Sequence, residues 1–254
     1  MCCFSQPVEI VSGTSIFARA TSGGQLLVYG MTVAARGELA MVLPLPVPPS
    51  PPEDAVRFLS LERYPRFFDD MRSGFPALLA FGGLARGGPP PAAAPQTLVV
   101  HDVGAFEASF VPTLADFDRL DARFRLPAQT WDAVPEYRDF GFAVFKLKGL
   151  APGARKTIHP MAFEFPRRDP NALFFPTVHV HDGAVHPKAR FDHALYCQSD
   201  PAIEARVATW ERSTGPAATF MRDDGAGIVD PGAFVFRALV TGEQPNRDIV
   251  LAPA

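Results

Sequence analysis

Proline and phenylalanine constrain this chain more than any other feature of its sequence. The 254 residues include 27 prolines and 22 phenylalanines. Proline interrupts helices and is confined to the ends and edges of strands. Phenylalanine favours the half-buried surface of a β-sheet. We therefore expect short strands joined by fixed loops, and few long helices.

Segments with strand-like alternation outnumber segments with helical spacing. The sequence predicts an α+β fold dominated by antiparallel β-sheet, either a sandwich or an open barrel, with about three helices. Proline and capping signals place those helices at residues 51–65, 113–124 and 200–210. Residues 233–241 and 248–251 are expected to close the chain as a hairpin.

Composition and length indicate one domain. Hydrophobic residues make up 47% of the chain, enough to form a core, and 254 residues is an ordinary size for one sandwich or barrel. We predict a single β-rich domain over residues 1–254. Residues 86–96 are rich in proline, glycine and alanine and are expected to form a surface loop.

Charge and hydropathy exclude several classes of partner. The net charge is −3, without the basic patches of a nucleic-acid-binding protein. No apolar run approaches the roughly 20 residues that cross a bilayer, and the first residues do not resemble a signal peptide. The expectation is a cytoplasmic protein without nucleic-acid or membrane partners, whose cysteines stay reduced. Nothing in the sequence sets the oligomeric state.

The densest group of candidate metal ligands lies between residues 179 and 197. It contains His179, His181, His186 and His193, four of the six histidines. Alternate residues of a strand share a face, which would place His179 and His181 about 6.6 Å apart. That spacing lets two imidazoles converge on one ion. The turn at 182–183 would then return His186 to the same place, with His193 or Cys2 as a further ligand.

These ligands suit zinc or copper, and no nucleotide-binding motif accompanies them. The sequence therefore predicts a transition-metal site, and a metal ion or small molecule as the partner. Three protein ligands would leave one position open, as in catalytic zinc sites. Whether the protein is an enzyme stays open. The competing interpretation is that the histidines form hydrogen bonds within a half-buried sheet.

Cys2 is the second candidate site. Removal of Met1 would give this residue a free amine beside its thiol, and such an amine can act as the base for the thiol. This arrangement would make Cys2 the catalytic residue of an N-terminal cysteine amidohydrolase. A third possibility is a binding or scaffold domain without chemistry of its own.

Several short motifs resemble those of a bacterial family of unknown function, whose members are mostly exported. That family opens with Cys-Gly-Gly-Phe and has a Leu-Pro-x-Pro segment. The corresponding residues here are Cys2-Cys3-Phe4 and Leu43-Pro44-Leu45-Pro46, followed by Tyr137 and Gly141-Phe142. The resemblance implies a shared fold. It implies no activity, because none is known for the family.

Overall fold

Two β-sheets form most of the protein. The computed structural model describes residues 2–35, 37–76, 100–103, 106–147, 155–157, 159–222 and 227–253. The expected surface loop at 86–96 lies outside the described residues. The strands in chain order are β1 (Cys2–Phe4), β2 (Val8–Ala20), β3 (Gln25–Ala35), β4 (Leu39–Leu45), β5 (Arg57–Ser60), β6 (His101–Val103), β7 (Phe106–Val111), β8 (Gly141–Leu147), β9 (Arg155–Thr157), β10 (Met161–Phe165), β11 (Leu173–Phe175), β12 (His179–Val180), β13 (Lys188–Gln198), β14 (Glu211–Arg212), β15 (Phe236–Pro245) and β16 (Ile249–Leu251).

Helical segments in the described residues are short. The α-helices are α1 (Phe67–Ser73), α2 (Ala128–Asp132) and α3 (Glu204–Val207). Short 3-10 helices occur at 114–119, 122–124, 135–137 and 217–219. The frequent prolines account for this brevity, because each one removes a backbone donor and blocks the helix that precedes it.

The sheets are mostly antiparallel. The first has the strand order β12-β1-β4-β8-β7-β6, and the second β14-β15-β13-β2-β3-β10-β5 with β9 beside β3. Strands β11 and β16 form a separate pair. Two pairings are parallel, β1 with β12 and β2 with β13. The predicted α+β class with predominantly antiparallel sheet is therefore confirmed.

Aromatic side chains fill the space between the two main sheets. Phe145 of β8 contacts Phe163 of β10, with ring centroids 5.7 Å apart, and Phe58 of β5 at 5.6 Å. Because these contacts join the first sheet to the second, the sheets pack face to face as a sandwich. A smaller apolar cluster covers the outer face of the second sheet, where Phe67 of α1 packs on Phe17 of β2.

Two expected local elements are wrong. Residues 57–60 form strand β5 instead of part of a helix over 51–65, because they pair with β10 at the edge of the second sheet. Strands β15 and β16 do not form a hairpin, since β15 pairs with β13 and β16 pairs with β11. In both places, pairing with strands that are distant in the sequence determined the structure. Local sequence patterns do not reveal such pairing.

The aromatic core provides a stability test. Phe145 is fully buried, whereas 54% of Val250 is exposed. We expect Phe145→Ala to lower the free energy of unfolding by about 3–5 kcal/mol, because it leaves a cavity between the sheets. The control Val250→Ala should change it by about 0.5 kcal/mol or less. Urea unfolding measures both values, and equal effects would contradict this packing.

Candidate functional site

Three of the six histidines meet at one end of the core. The His179 ring is stacked on that of His181, with centroids 4.8 Å apart and planes inclined by 16°. It also lies 4.9 Å from the His193 ring and 4.4 Å from the Phe191 ring. His179 is 8% exposed and His193 is 1% exposed, while His181 is half-buried. We call His179, His181 and His193 the histidine cluster.

The ring nitrogens of this cluster are incompletely paired. Nε2 of His179 lies 3.2 Å from Nε2 of His193. Nε2 of His181 and Nδ1 of His193 are buried and have no hydrogen-bond partner. Buried polar atoms without partners are uncommon and call for an explanation, such as a bound water or ion.

His193 reaches the cluster because β13 lies in the middle of the second sheet. The strand pairs with β15 on one side and β2 on the other. Phe191, His193, Leu195 and Cys197 alternate along it and are all buried, as the sequence pattern predicts. The same alternation places His193 on the face that packs against the first sheet, where Leu195 and Cys197 join the main core.

The chain near the C-terminal end of the described residues holds His179 in place. Oδ1 of Asn246 accepts a hydrogen bond from the His179 backbone N–H at 2.7 Å. Nδ2 of Asn246 donates to the His179 backbone carbonyl at 2.9 Å. This amide completes the pairing of β12, a strand of two residues.

Asp248 fixes the residues before β12. Its Oδ1 accepts hydrogen bonds from the backbone N–H groups of Thr177 and Val178, at 2.7 and 3.0 Å. The Tyr137 hydroxyl donates to its Oδ2 at 2.6 Å. Burial raises the pKa of the Asp248 carboxyl against the opposing effect of these hydrogen bonds. Sequence reasoning missed Asn246 and Asp248, because a polar Pro-Asn-Arg-Asp stretch has the ordinary composition of a loop.

Burial keeps the histidine cluster uncharged. Removal from water lowers the pKa of His179 to about 3, of His181 to about 4 and of His193 to about 2. His181 adds to the effect at His179, because two neighbouring imidazoles cannot both be charged cheaply. Neutral imidazole is the form that binds metal ions.

His186 lies apart from the cluster, at the surface. Its side chain is 60% exposed, and its Nε2 is 2.9 Å from Oδ2 of Asp182. The turn at Gly183, where φ is +85°, reverses the chain as the sequence indicates. The reversal leaves His186 in solvent beside Asp182 instead of beside His179.

Cys2 lies next to the cluster along the backbone. In the parallel pairing of β1 with β12, the Cα of Cys2 is opposite that of His179. The side chain of Cys2 lies outside the described atoms. Cys3 and Cys197 are buried, and burial raises the pKa of the Cys197 thiol.

No group of three or more His, Cys, Asp or Glu side chains is arranged to hold a metal ion among the residues that the structure describes. The rings of His181 and His193 both stack on that of His179, with planes inclined by 16° and 28°. Ring nitrogens bind metals through lone pairs in the ring plane, and the in-plane lone pairs of nearly parallel rings do not converge. Nε2 of His193 already lies 3.2 Å from Nε2 of His179, but the rings would have to turn before three lone pairs could meet at one ion.

A cavity of about 380 Å³ lies beside the cluster. Phe4 and Leu126 contribute apolar walls, and Asp182 contributes a carboxylate. The Phe4 ring is 5.8 Å from the His181 ring. Phe4 therefore lies between the cavity and His181, none of the three histidines lines the cavity, and its volume suits a small molecule.

Comparison with known proteins supports the fold alone. No family model matches the chain, and no curated protein matches its sequence. The crystal structure of baculovirus P35 is similar, with a TM-score of 0.50 and 13% sequence identity over 99% of both chains. At this identity the likeness concerns the fold. In the described residues, no helix is long and apolar enough to cross a membrane.

The buried histidines predict loss of stability in acid for the metal-free protein. The pKa values of all three are lower in the folded protein than the value of about 6.5 in an unfolded chain. Their stabilising contribution is present above pH 6.5 and is lost as the pH falls, because the unfolded chain binds more protons. At pH 5 the loss should reach about 2 kcal/mol for each histidine.

Urea unfolding between pH 5 and 7.5 tests this expectation. His181→Gln should reduce the pH dependence by the contribution of one histidine. The surface variant His186→Gln serves as the control and should keep the wild-type dependence. A stability that does not change over this range would contradict the burial of neutral imidazoles.

Proposed function

We propose that this protein binds a transition-metal ion, zinc or copper, through Nε2 of His179 and Nε2 of His193. The observation that carries the proposal is their separation of 3.2 Å. Two nitrogens bound to one tetrahedral ion at about 2.1 Å lie about 3.4 Å apart. The folded chain therefore holds two ligands near the required spacing before any ion arrives.

His181 is the third ligand in this proposal. Its buried Nε2 has no hydrogen-bond partner, so its rotation out of the stack with His179 breaks no hydrogen bond at that atom. The ring of His181 is half-buried and lies 5.8 Å from that of Phe4, a wall residue of the cavity, so we infer that it turns on this side. His186 is not included, because it is exposed and paired with Asp182.

Three histidine ligands would leave a fourth position for water or a small molecule. We infer that a small molecule would approach that position from the neighbouring cavity, whose wall residue Phe4 lies beside His181. The protein would then either bind the ion alone or act as a metal-dependent enzyme, for which the ion would supply Lewis-acid chemistry.

Metal content and affinity test the proposal. Protein purified without an affinity tag should hold close to one zinc or copper ion per chain. Substitution of a residue that hydrogen-bonds to a metal ligand weakens metal binding roughly 10- to 100-fold. His179→Gln and His193→Gln each remove a ligand itself and should weaken binding by more than that. Metal should raise the melting temperature of wild type but not of these variants.

His186→Gln is the matched control and should bind as tightly as wild type. Elemental analysis and chelator competition measure content and affinity. Wild-type protein that holds no ion after reconstitution with zinc and with copper would reject the metal site.

A second candidate function is an N-terminal cysteine nucleophile at Cys2, with its own α-amine as the base after removal of Met1, or with His179 in that role. The pairing of Cys2 opposite His179 favours it. The low pKa of His179 opposes it, because a thiolate beside an imidazolium needs a histidine that holds its proton. The metal site is therefore the better supported of the two functions.

Thiol labelling tests the second candidate. If Cys2 is a nucleophile, iodoacetamide at pH 7 should modify it faster than Cys3 or Cys197, which are buried. His179→Gln should slow that modification about tenfold or more, within the range that a positioned base contributes. Peptide mapping by mass spectrometry follows each cysteine, and equal rates in wild type and variant would contradict the role of His179.

If both tests fail, the third interpretation, a non-catalytic binding or scaffold domain, takes their place.

A further inference from the structure

We propose that Asp192 is a positioning residue that holds a proton on Nδ1 of His193, so that Nε2 of His193 presents its lone pair toward His179. This inference rests on the proposed metal site and names the residue that prepares one of its ligands. Asp192 immediately precedes His193 on β13, and sequence reasoning did not single it out.

The first observation is the unsatisfied nitrogen of His193. Nδ1 is buried without a hydrogen-bond partner, and Oδ1 of Asp192 lies 3.7 Å away. If Nδ1 carried a lone pair, that lone pair would face a carboxylate and the two would repel. If Nδ1 carries a proton, the two groups attract. Electrostatics therefore favour the tautomer with the proton on Nδ1.

The second observation is that the other oxygen of Asp192 is already held. Oδ2 accepts a hydrogen bond from the Gly13 backbone N–H at 2.7 Å. Gly13 has φ of +62° and lies in an irregularity of the β2–β3 pairing between Ser12 and Ser15. This β-bulge turns a backbone donor toward Asp192, and the hydrogen bond orients the carboxylate.

The tautomer determines what the His179–His193 pair can do. With the proton of His193 on Nδ1, its Nε2 accepts a hydrogen bond from Nε2 of His179 in the metal-free protein. For Nε2 of His179 to bind a metal ion, His179 would have to carry its proton on Nδ1 instead of Nε2, whereas His193 would keep its tautomer. A carboxylate behind a metal-bound histidine also makes the ring a stronger ligand and offsets part of the ion's charge in a buried site.

Asp192→Asn is the informative substitution because the Gly13 N–H still needs an acceptor. The amide would place its oxygen toward Gly13 and its NH₂ group toward His193. That group donates, so Nδ1 of His193 would lose its proton and Nε2 would gain one. The same exchange of carboxylate for amide disables catalytic histidines by imposing the wrong tautomer.

The first readout is the tautomer of His193 in metal-free protein, from long-range ¹H–¹⁵N correlation of the ring nitrogens. Wild type should show protonated Nδ1 and bare Nε2, and Asp192→Asn should show the reverse. Asp192→Glu, which keeps a carboxylate, should retain the wild-type tautomer. Asp139→Asn is the matched control, since that exposed carboxylate pairs with Arg168, and it should change nothing at His193.

The second readout is zinc affinity by chelator competition. Asp192→Asn should weaken zinc binding about 10- to 100-fold, and Asp139→Asn should leave it unchanged. A His193 tautomer that is identical in wild type and Asp192→Asn would overturn the inference. Equal zinc affinity of Asp192→Asn and the control variant, in a protein whose wild type binds zinc, would also overturn the inference.

Thr14 is the alternative acceptor for Nδ1. Its hydroxyl is buried without a hydrogen-bond partner, and Thr14 and His193 both immediately precede the first β2–β13 pair, Ser15 with Ala194. A tautomer change in Thr14→Val, but not in Asp192→Asn, would assign the proton to that contact and overturn the role of Asp192.

The metal site and the role of Asp192 can be rejected independently of each other. The tautomer is read without metal, so a wild type that binds no ion rejects the metal site and leaves the tautomer result to decide the role of Asp192. A wild type that binds zinc, with no change of tautomer in Asp192→Asn, rejects the role of Asp192 alone.

Discussion

Burial of aromatic side chains between two open sheets is the interaction on which the structure depends. Contacts such as Phe145 with Phe163 join strands that are distant in sequence. A phenylalanine side chain contributes roughly 2–3 kcal/mol when it is fully buried. The helices are too short to contribute comparable packing, and the sheet-to-sheet contacts therefore align the strands that carry the histidine cluster.

The histidine cluster is the exception within this apolar core. Three imidazoles share a place where charge is costly, and two of their buried nitrogens have no partner. A core made only for stability would place aliphatic side chains there, because an unsatisfied buried polar atom costs about 1–3 kcal/mol. The cost falls when an ion or another ligand satisfies those nitrogens.

The backbone of all three members of the cluster is held in place. Asn246 holds the backbone of His179 on both sides, and β13 carries His193 between two neighbouring strands. His181 follows the two-residue strand β12, and its backbone carbonyl accepts a hydrogen bond from the Val8 N–H at 3.1 Å. An ion would therefore be bound by turning of the side chains on a fixed backbone.

The sequence by itself determined the fold class, the alternation of β13 and the candidate status of His179, His181 and His193. These properties depend on composition and on the two-residue period of a strand, which are local. Only the tertiary structure decided that His193 meets His179 while His186 stays in solvent. It also decided that β5 is a strand, and that Asn246 and Asp248 support the site. Each of these depends on pairing between distant segments, which the local sequence does not encode. The register of β13 against β2 and the position of the C-terminal residues are set by how the two sheets pack.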